Sequence, residues 1–80
     1  MKLTQAQTDC LTMLKLVGAT VDTANTAMNF LTEEEQQNQM TDWLIKRYEH
    51  KIPTTEQDIL KMTVILTCEE KTTENPETLN

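Results

Sequence analysis

Residues 4–18, TQAQTDCLTMLKLVG, decide the fold class of this chain. Thr4 is followed three residues later by Gln7, the spacing of a capping box, in which each side chain bonds a backbone amide at a helix start. Apolar residues then recur at steps of three and four, which predicts an amphipathic helix over residues 5–17. The glycine that closes the stretch stands where a left-handed residue commonly ends a helix.

Two further pairs with the same spacing, Thr32–Glu35 and Thr54–Gln57, precede other helical patterns. Another apolar stripe lies between the first helix and Thr32. Thr20 and Asp22 are the two candidate caps of the helix that it predicts. Thr55 competes with Thr54 in the same way at the last helix. The sequence therefore predicts four helices, over residues 5–17, 22–31, 33–50 and 56–70. Only Thr32 divides the second from the third, so the sequence leaves open whether these two are separate or one kinked helix.

The third predicted helix is polar in its first half and apolar in its second. Residues 33–39, EEEQQNQ, contain no apolar side chain, so this end should project into solvent or contact a polar group. Met40, Leu44 and Tyr48 then follow at steps of four, which places all three on one predicted core-facing line.

The fourth predicted helix is apolar around most of its circumference. A helix of this kind is usually buried on all sides, so we expect it to be the central element of the fold. Ile59, Leu60 and Leu66 are its predicted core residues.

The 80 residues suffice for one domain with a small core. From position 71 the chain reads KTTENPETLN, which is too polar to offset the entropy of ordering. The predicted fold is all-α, a compact bundle of four short helices over residues 1–70, with a disordered acidic C-terminal tail over residues 71–80.

Charge and hydropathy exclude several classes of function. Thirteen acidic against seven basic residues give a net charge of −6, which disfavours binding to nucleic acid or to an anionic membrane. There is no apolar run of the roughly 20 residues that a membrane span needs, and no apolar core of a signal peptide near the start. Cys10 and Cys68 are then expected to be reduced thiols in a cytoplasmic protein.

The residue types that carry catalysis or bind metals are sparse. His50 is the single histidine, and we expect it to interact with the carbonyl groups that end its helix. The cysteines lack the close spacing of zinc ligands, and Glu33–Glu35 fan out around a helix instead of converging. The sequence therefore predicts a non-enzymatic protein without a cofactor, a metal or a small-molecule substrate.

Trp43 is the candidate binding residue, with packing at the edge of the core as the alternative. It stands at the edge of the third helix's apolar stripe, near Met40 and Arg47, and this composition is typical of interface hot spots. We expect these three residues to contact a protein partner or a second copy in a homodimer.

The stretch from Thr32 to Leu60 has a Glu-Gln-rich helix start, the pair Trp43–Leu44 and a Thr-capped helix that carries Ile59–Leu60. In this it resembles short uncharacterised helical proteins of Gram-positive gut bacteria and their mobile elements. The resemblance implies no activity and assigns no functional residue.

The most consistent function is a small acidic module for protein–protein interaction, which self-associates or binds another protein. One alternative is an acidic inhibitor or nucleic-acid mimic from a mobile element that binds a DNA- or RNA-binding protein. Another is a small transcriptional regulator that uses the cationic segment KRYEHK, residues 46–51, although the net charge disfavours it.

Overall fold

Four α-helices form the fold in a computed structural model, which describes the backbone of residues 2–74 and the side chains of residues 2–68. They contact one another in a closed ring, in which α1 packs on α3, α3 on α4, α4 on α2 and α2 on α1. The described residues contain no strand. The predicted all-α bundle is therefore confirmed, with helices α1 (Gln5–Leu16), α2 (Val21–Phe30), α3 (Glu34–Glu49) and α4 (Glu56–Glu74).

The α1 capping box is formed as predicted. The Gln7 amide donates to Thr4 Oγ1 at 3.1 Å, and the Thr4 amide donates to Gln7 Oε1 at 2.7 Å. Of the two candidate caps of α2, Thr20 is the one used, because its hydroxyl oxygen accepts a bond from the Thr23 amide.

The other two predicted pairs are wrong by one residue. Glu33 instead of Thr32 caps α3, and its amide donates to Gln36 Oε1 at 3.1 Å. At α4 the box joins Thr55 and Asp58, with amide-to-side-chain bonds of 3.0 and 3.1 Å. Overlapping Thr and Glu/Gln residues allow either register locally, and the tertiary packing of each helix selects one.

Two helices end in the same left-handed turn. After α1, Gly18 has φ +90°, and the amides of Gly18 and Ala19 bond the carbonyls of Lys15 and Leu14. After α3, Lys51 takes that conformation with φ +58°, although a side chain there costs about 1–2 kcal/mol. Pro53 follows two residues later and prevents α3 from continuing.

The core lies where the inner faces of the helices meet. Its fully buried large side chains come from α1, α3, α4 and the α2–α3 turn: Cys10, Leu14, Leu31, Met40, Leu44 and Ile59. Every buried side-chain nitrogen or oxygen in the described part of the chain has a hydrogen-bond partner. A small core is thus combined with complete pairing of its polar atoms.

The prediction that α4 is the central, most buried helix is wrong. Ile59, Thr63 and Leu66 form a buried row at steps of four and three, so the predicted burial of Ile59 and Leu66 is confirmed. Leu60 lies 100° further round the helix and is exposed. Only α2 and α3 pack extensively on α4, so its opposite side is left uncovered.

The polar start of α3 is less exposed than its sequence suggests. Gln36 and Gln37 are buried, and Gln37 Nε2 donates at 2.7 Å to the carbonyl oxygen of Leu31, the residue that ends α2. This satisfies a carbonyl that a helix end would otherwise leave unpaired inside the core. The predicted contact with a polar group is therefore found, and α2 and α3 are two separate helices.

Glu56 joins the start of α4 to the start of α2. Its carboxylate accepts bonds from the Thr20 amide at 3.1 Å, the Thr20 hydroxyl at 3.3 Å and the Thr23 hydroxyl at 2.6 Å. These bonds span more than 30 residues of sequence. They hold the two helix starts side by side.

The C-terminal end of α4 extends beyond the predicted boundary. The helix continues through residues 71–74 instead of ending at Glu70. The remainder of the predicted tail, residues 75–80, lies outside the described residues.

Alanine substitutions on the two faces of α4 should have different effects on the free energy of unfolding. Leu66→Ala should lower the free energy of unfolding by about 2–4 kcal/mol, because it leaves a cavity in the core. Leu60→Ala should change it by less than about 1 kcal/mol, because that side chain is exposed. Urea denaturation of both variants measures the difference, and equal losses would show that α4 packs in another orientation.

Candidate interaction surfaces

The three residues predicted to form an interface do not share one surface. Met40 has no exposed area and packs in the core beside Leu44. Its inclusion in the predicted interface is therefore wrong, because the inner face of α3 begins one turn earlier than its apolar residues do, at Gln36 and Gln37. Trp43 is half-buried against the core.

Arg47 is held within the molecule. Its guanidinium group lies 4.8 Å from the centre of the Trp43 ring, in a cation–π contact. Its Nε donates to Thr54 Oγ1 at 2.8 Å, and its Nη2 donates to the Pro53 carbonyl at 2.6 Å and lies 3.4 Å from Asp58 Oδ2. Arg47 thus fastens α3 to the turn before α4, and a partner would have to displace these bonds to use it.

Asp58 receives bonds from two directions. The Thr55 amide and hydroxyl lower the pKa of its carboxyl group below the ordinary value, and the positive charge of Arg47 adds to this effect. The bonds between Arg47, Asp58 and Thr55 therefore stabilise the α3–α4 turn.

Tyr48, predicted to face the core, is 52 % exposed. A four-residue step advances 40° beyond a full helical turn, so the line from Met40 through Leu44 has rotated by about 80° when it reaches Tyr48. This moves the ring from the core to the boundary between α3 and α1. The exposure of the Tyr48 ring therefore depends on how these two helices pack.

A groove runs along the boundary between α1 and α3. One hollow of about 180 Å³ is lined by Asp9, Thr12, Met13, Thr41 and Ile45. A second hollow of about 360 Å³ is lined by Val17, Tyr48, Lys51, Ile52, Pro53 and Thr54. Positions later in α1 meet positions later in α3, so the two helices run in the same direction.

The groove has the spacing of a helix-binding surface. Its α3 wall consists of Thr41, Ile45 and Tyr48, at steps of four and three residues, and Ile52 extends the wall after the end of the helix. Along α3, Thr41 of the first hollow and Tyr48 of the second are seven residues apart, or about 11 Å along the helix axis. Helices that bind in such grooves insert side chains at steps of three, four and seven residues. We call this surface the α1–α3 groove.

The rim of the α1–α3 groove is acidic. Asp9 lines the first hollow, and the exposed residues Asp42 and Glu49 lie in the next row round α3, away from the core. Within the described residues none of these three carboxylates forms an ion pair. Lys51 supplies a positive charge at the end of the second hollow.

A separate apolar surface lies on the uncovered side of α4. Leu60, Val64 and Cys68 follow one another at steps of four residues, and Ile65 lies beside them; all four are exposed. We call these four residues the α4 outer face. Polar residues on this side of the helix include Gln57 and Lys61.

The groups considered for chemistry are dispersed. Burial raises the pKa of the Cys10 thiol, against the opposing effect of its hydrogen bond with Thr41, so the reactive thiolate is disfavoured. His50 caps the end of α3 through its backbone amide, and its side chain is exposed. Among the described residues no three His, Cys, Asp or Glu side chains converge in a way that would hold a metal ion.

Comparisons with known proteins add no relative. No family model, no curated protein and no solved structure matches this chain. The resemblance to short helical proteins of Gram-positive gut bacteria stays a prediction. Within residues 2–74, no helix combines the length and the apolar character required to cross a bilayer.

Sequence reasoning did not find either apolar surface. The i, i+4, i+7 row through Ile45 and Tyr48 is visible in the sequence, but the same row is expected of a core face. What distinguishes the two is the position of α1, which local periodicity does not contain. Recognising the groove therefore requires the tertiary structure.

Proposed function

We propose that this protein is a non-enzymatic protein-interaction module whose binding site is the α1–α3 groove. The observation that carries the proposal is a pair of hollows with partly exposed apolar walls, whose lining residues on α3, Thr41, Ile45 and Tyr48, follow at steps of four and three. The occupant is a helix of a partner protein. The cytoplasmic location predicted from the sequence is part of this proposal.

Tyr48 is the expected hot spot of this groove. It lines the larger hollow and combines a large apolar ring with a hydroxyl group, and such residues dominate many interfaces. Lys51 lines the same hollow in a left-handed conformation that glycine would adopt with less strain.

The test compares two exposed aromatic residues. Tyr48→Ala should weaken binding of the native partner at least about thirtyfold, the effect of losing an anchor worth about 2 kcal/mol. Phe30→Ala is the matched control, since Phe30 is 60 % exposed on α2 and does not line either hollow. Quantitative pull-downs from the native cell with the wild type and both variants, followed by titration of the purified partner, measure the effect.

Partners retained by Phe30→Ala and lost by Tyr48→Ala are the expected result. Partners retained equally by both variants would show that the groove is not the binding site. Unchanged denaturation midpoints of the two variants exclude unfolding as the cause of a loss.

Self-association is a second candidate, favoured by the α4 outer face. Two copies that each carry a charge of −6 repel one another, so they should meet where carboxylates are few. The α4 outer face meets this requirement over residues 60–68, which contain no carboxylate, and Glu56 and Asp58 before them are bonded to Thr20, Thr23, Thr55 and Arg47. A two-fold axis near Val64 would pair this face with itself.

Sedimentation equilibrium across protein concentrations tests the dimer. Val64→Glu should abolish association, since it places a charge at the centre of the paired face. Val21→Glu is the matched control, because Val21 is exposed on α2 outside this face. A wild type that stays monomeric at every concentration, or equal effects of the two variants, would remove self-association from the proposal.

A further inference from the structure

We infer that the occupant of the α1–α3 groove is a basic amphipathic helix of a partner protein. This inference rests on the proposed function and adds the chemistry of the partner. It follows from the apolar floor of the groove together with the charges around it.

The floor determines the apolar part of the occupant. Met13 and Ile45 line the first hollow, and Val17, Tyr48 and Ile52 line the second. Thr41 and Tyr48, which line one hollow each, lie about 11 Å apart along α3, and this length matches apolar residues at positions i and i+7 of a docked helix, with another at i+3 or i+4 between them. Such an occupant has one apolar face and one polar face.

The rim determines the charge of the occupant. Asp9, Asp42 and Glu49 border the groove without an ion-pair partner among the described residues. A docked helix brings the residues that flank its apolar stripe close to both rims. Lysine and arginine at these flanking positions would pair with the three carboxylates, and acidic residues there would be repelled.

The cations near the groove do not reverse this preference. Lys46 lies on the far side of the Asp42 and Glu49 row, directed away from the hollows by its position on the helix. Lys51 lines the second hollow and is a single cation against the three carboxylates. The remainder of the chain is net acidic, so its long-range field also attracts a basic segment.

A second copy of this chain does not meet these requirements. Its own uncovered helix face, on α4, includes Lys61 as its single cation among residues 56–68, beside Glu56 and Asp58. An α4 helix docked in the groove would therefore bring two carboxylates and one cation to an acidic rim. The occupant is a different protein.

Three synthetic 16-residue helical peptides test the inference. The first has leucine at positions 4, 8, 11 and 15 and lysine at the positions that flank them. The second replaces each lysine by glutamate, and the third keeps the composition of the first but scrambles its order so that no apolar face forms. Isothermal titration calorimetry at low and high salt measures the binding of each peptide to the full chain.

The lysine peptide should bind at least about tenfold more tightly than either of the others, and its affinity should fall as salt screens the charges. The protein variant Asp42→Asn/Glu49→Gln should weaken that peptide about fivefold, the effect of two exposed charge pairs. Tyr48→Ala should weaken it further, and Phe30→Ala should leave it unchanged.

Tighter binding of the glutamate peptide, or equal binding of the scrambled peptide, would overturn the inference. So would the absence of binding by all three. If native partners are nevertheless lost by Tyr48→Ala, the groove is a binding site for an occupant of other chemistry, and only the inference fails. If native partners are retained by Tyr48→Ala, the proposed function itself fails.

Discussion

The bonds of the Glu56 carboxylate to Thr20 and Thr23 are the constraint on which the rest of the fold depends. They connect the helix pair α1–α2 to the pair α3–α4 at the point where α2 and α4 both begin. A carboxylate at this place also satisfies an unpaired amide of α2 and interacts favourably with the helix dipole. With both helix starts fixed, Ala24 and Ala27 of α2 lie in the core that Ile59 and Leu66 of α4 complete.

The same arrangement explains why apolar surface is left open. Each helix packs mainly on two neighbours, so the side that faces away from them is uncovered. On α4 that side forms the outer face around Val64, while the outer edge of the contact between α1 and α3 leaves the groove through Ile45 and Tyr48 partly open. In a chain with so few residues, a single core cannot cover every apolar row, and the remaining rows are available to partners.

The sequence predicted what depends on local interactions. It indicated four helices, the capping box at Thr4 and the left-handed Gly18, because each requires only neighbours within one or two helical turns. It did not predict that Gln37 is buried. The hydrogen bond that pairs its side-chain amide is accepted by the carbonyl of Leu31, which ends a different helix, α2. The predictions that Leu60 and Tyr48 face the core are wrong, because an apolar row has the same periodicity whether it faces the core, a groove or solvent. The candidate binding site likewise depends on how two helices pack, which local periodicity does not show.

The most direct test of the central constraint is the pH dependence of stability in the wild type and in Glu56→Gln. The Thr23 hydroxyl bond is the largest of the causes that lower the pKa of Glu56 from its ordinary value of 4.5. A group whose pKa is lower in the folded state stabilises the fold above its unfolded pKa, and this contribution is lost as the pH falls through the folded value. Wild type should therefore be more stable than Glu56→Gln at pH 7, and the difference should shrink as the pH falls below about 4.5. Glu49→Gln, an equal change of charge at an exposed position, should show a much smaller difference at pH 7. Urea denaturation of all three proteins between pH 3 and pH 7 measures these differences. Equal stability of Glu56→Gln and Glu49→Gln across this range would contradict the role of Glu56.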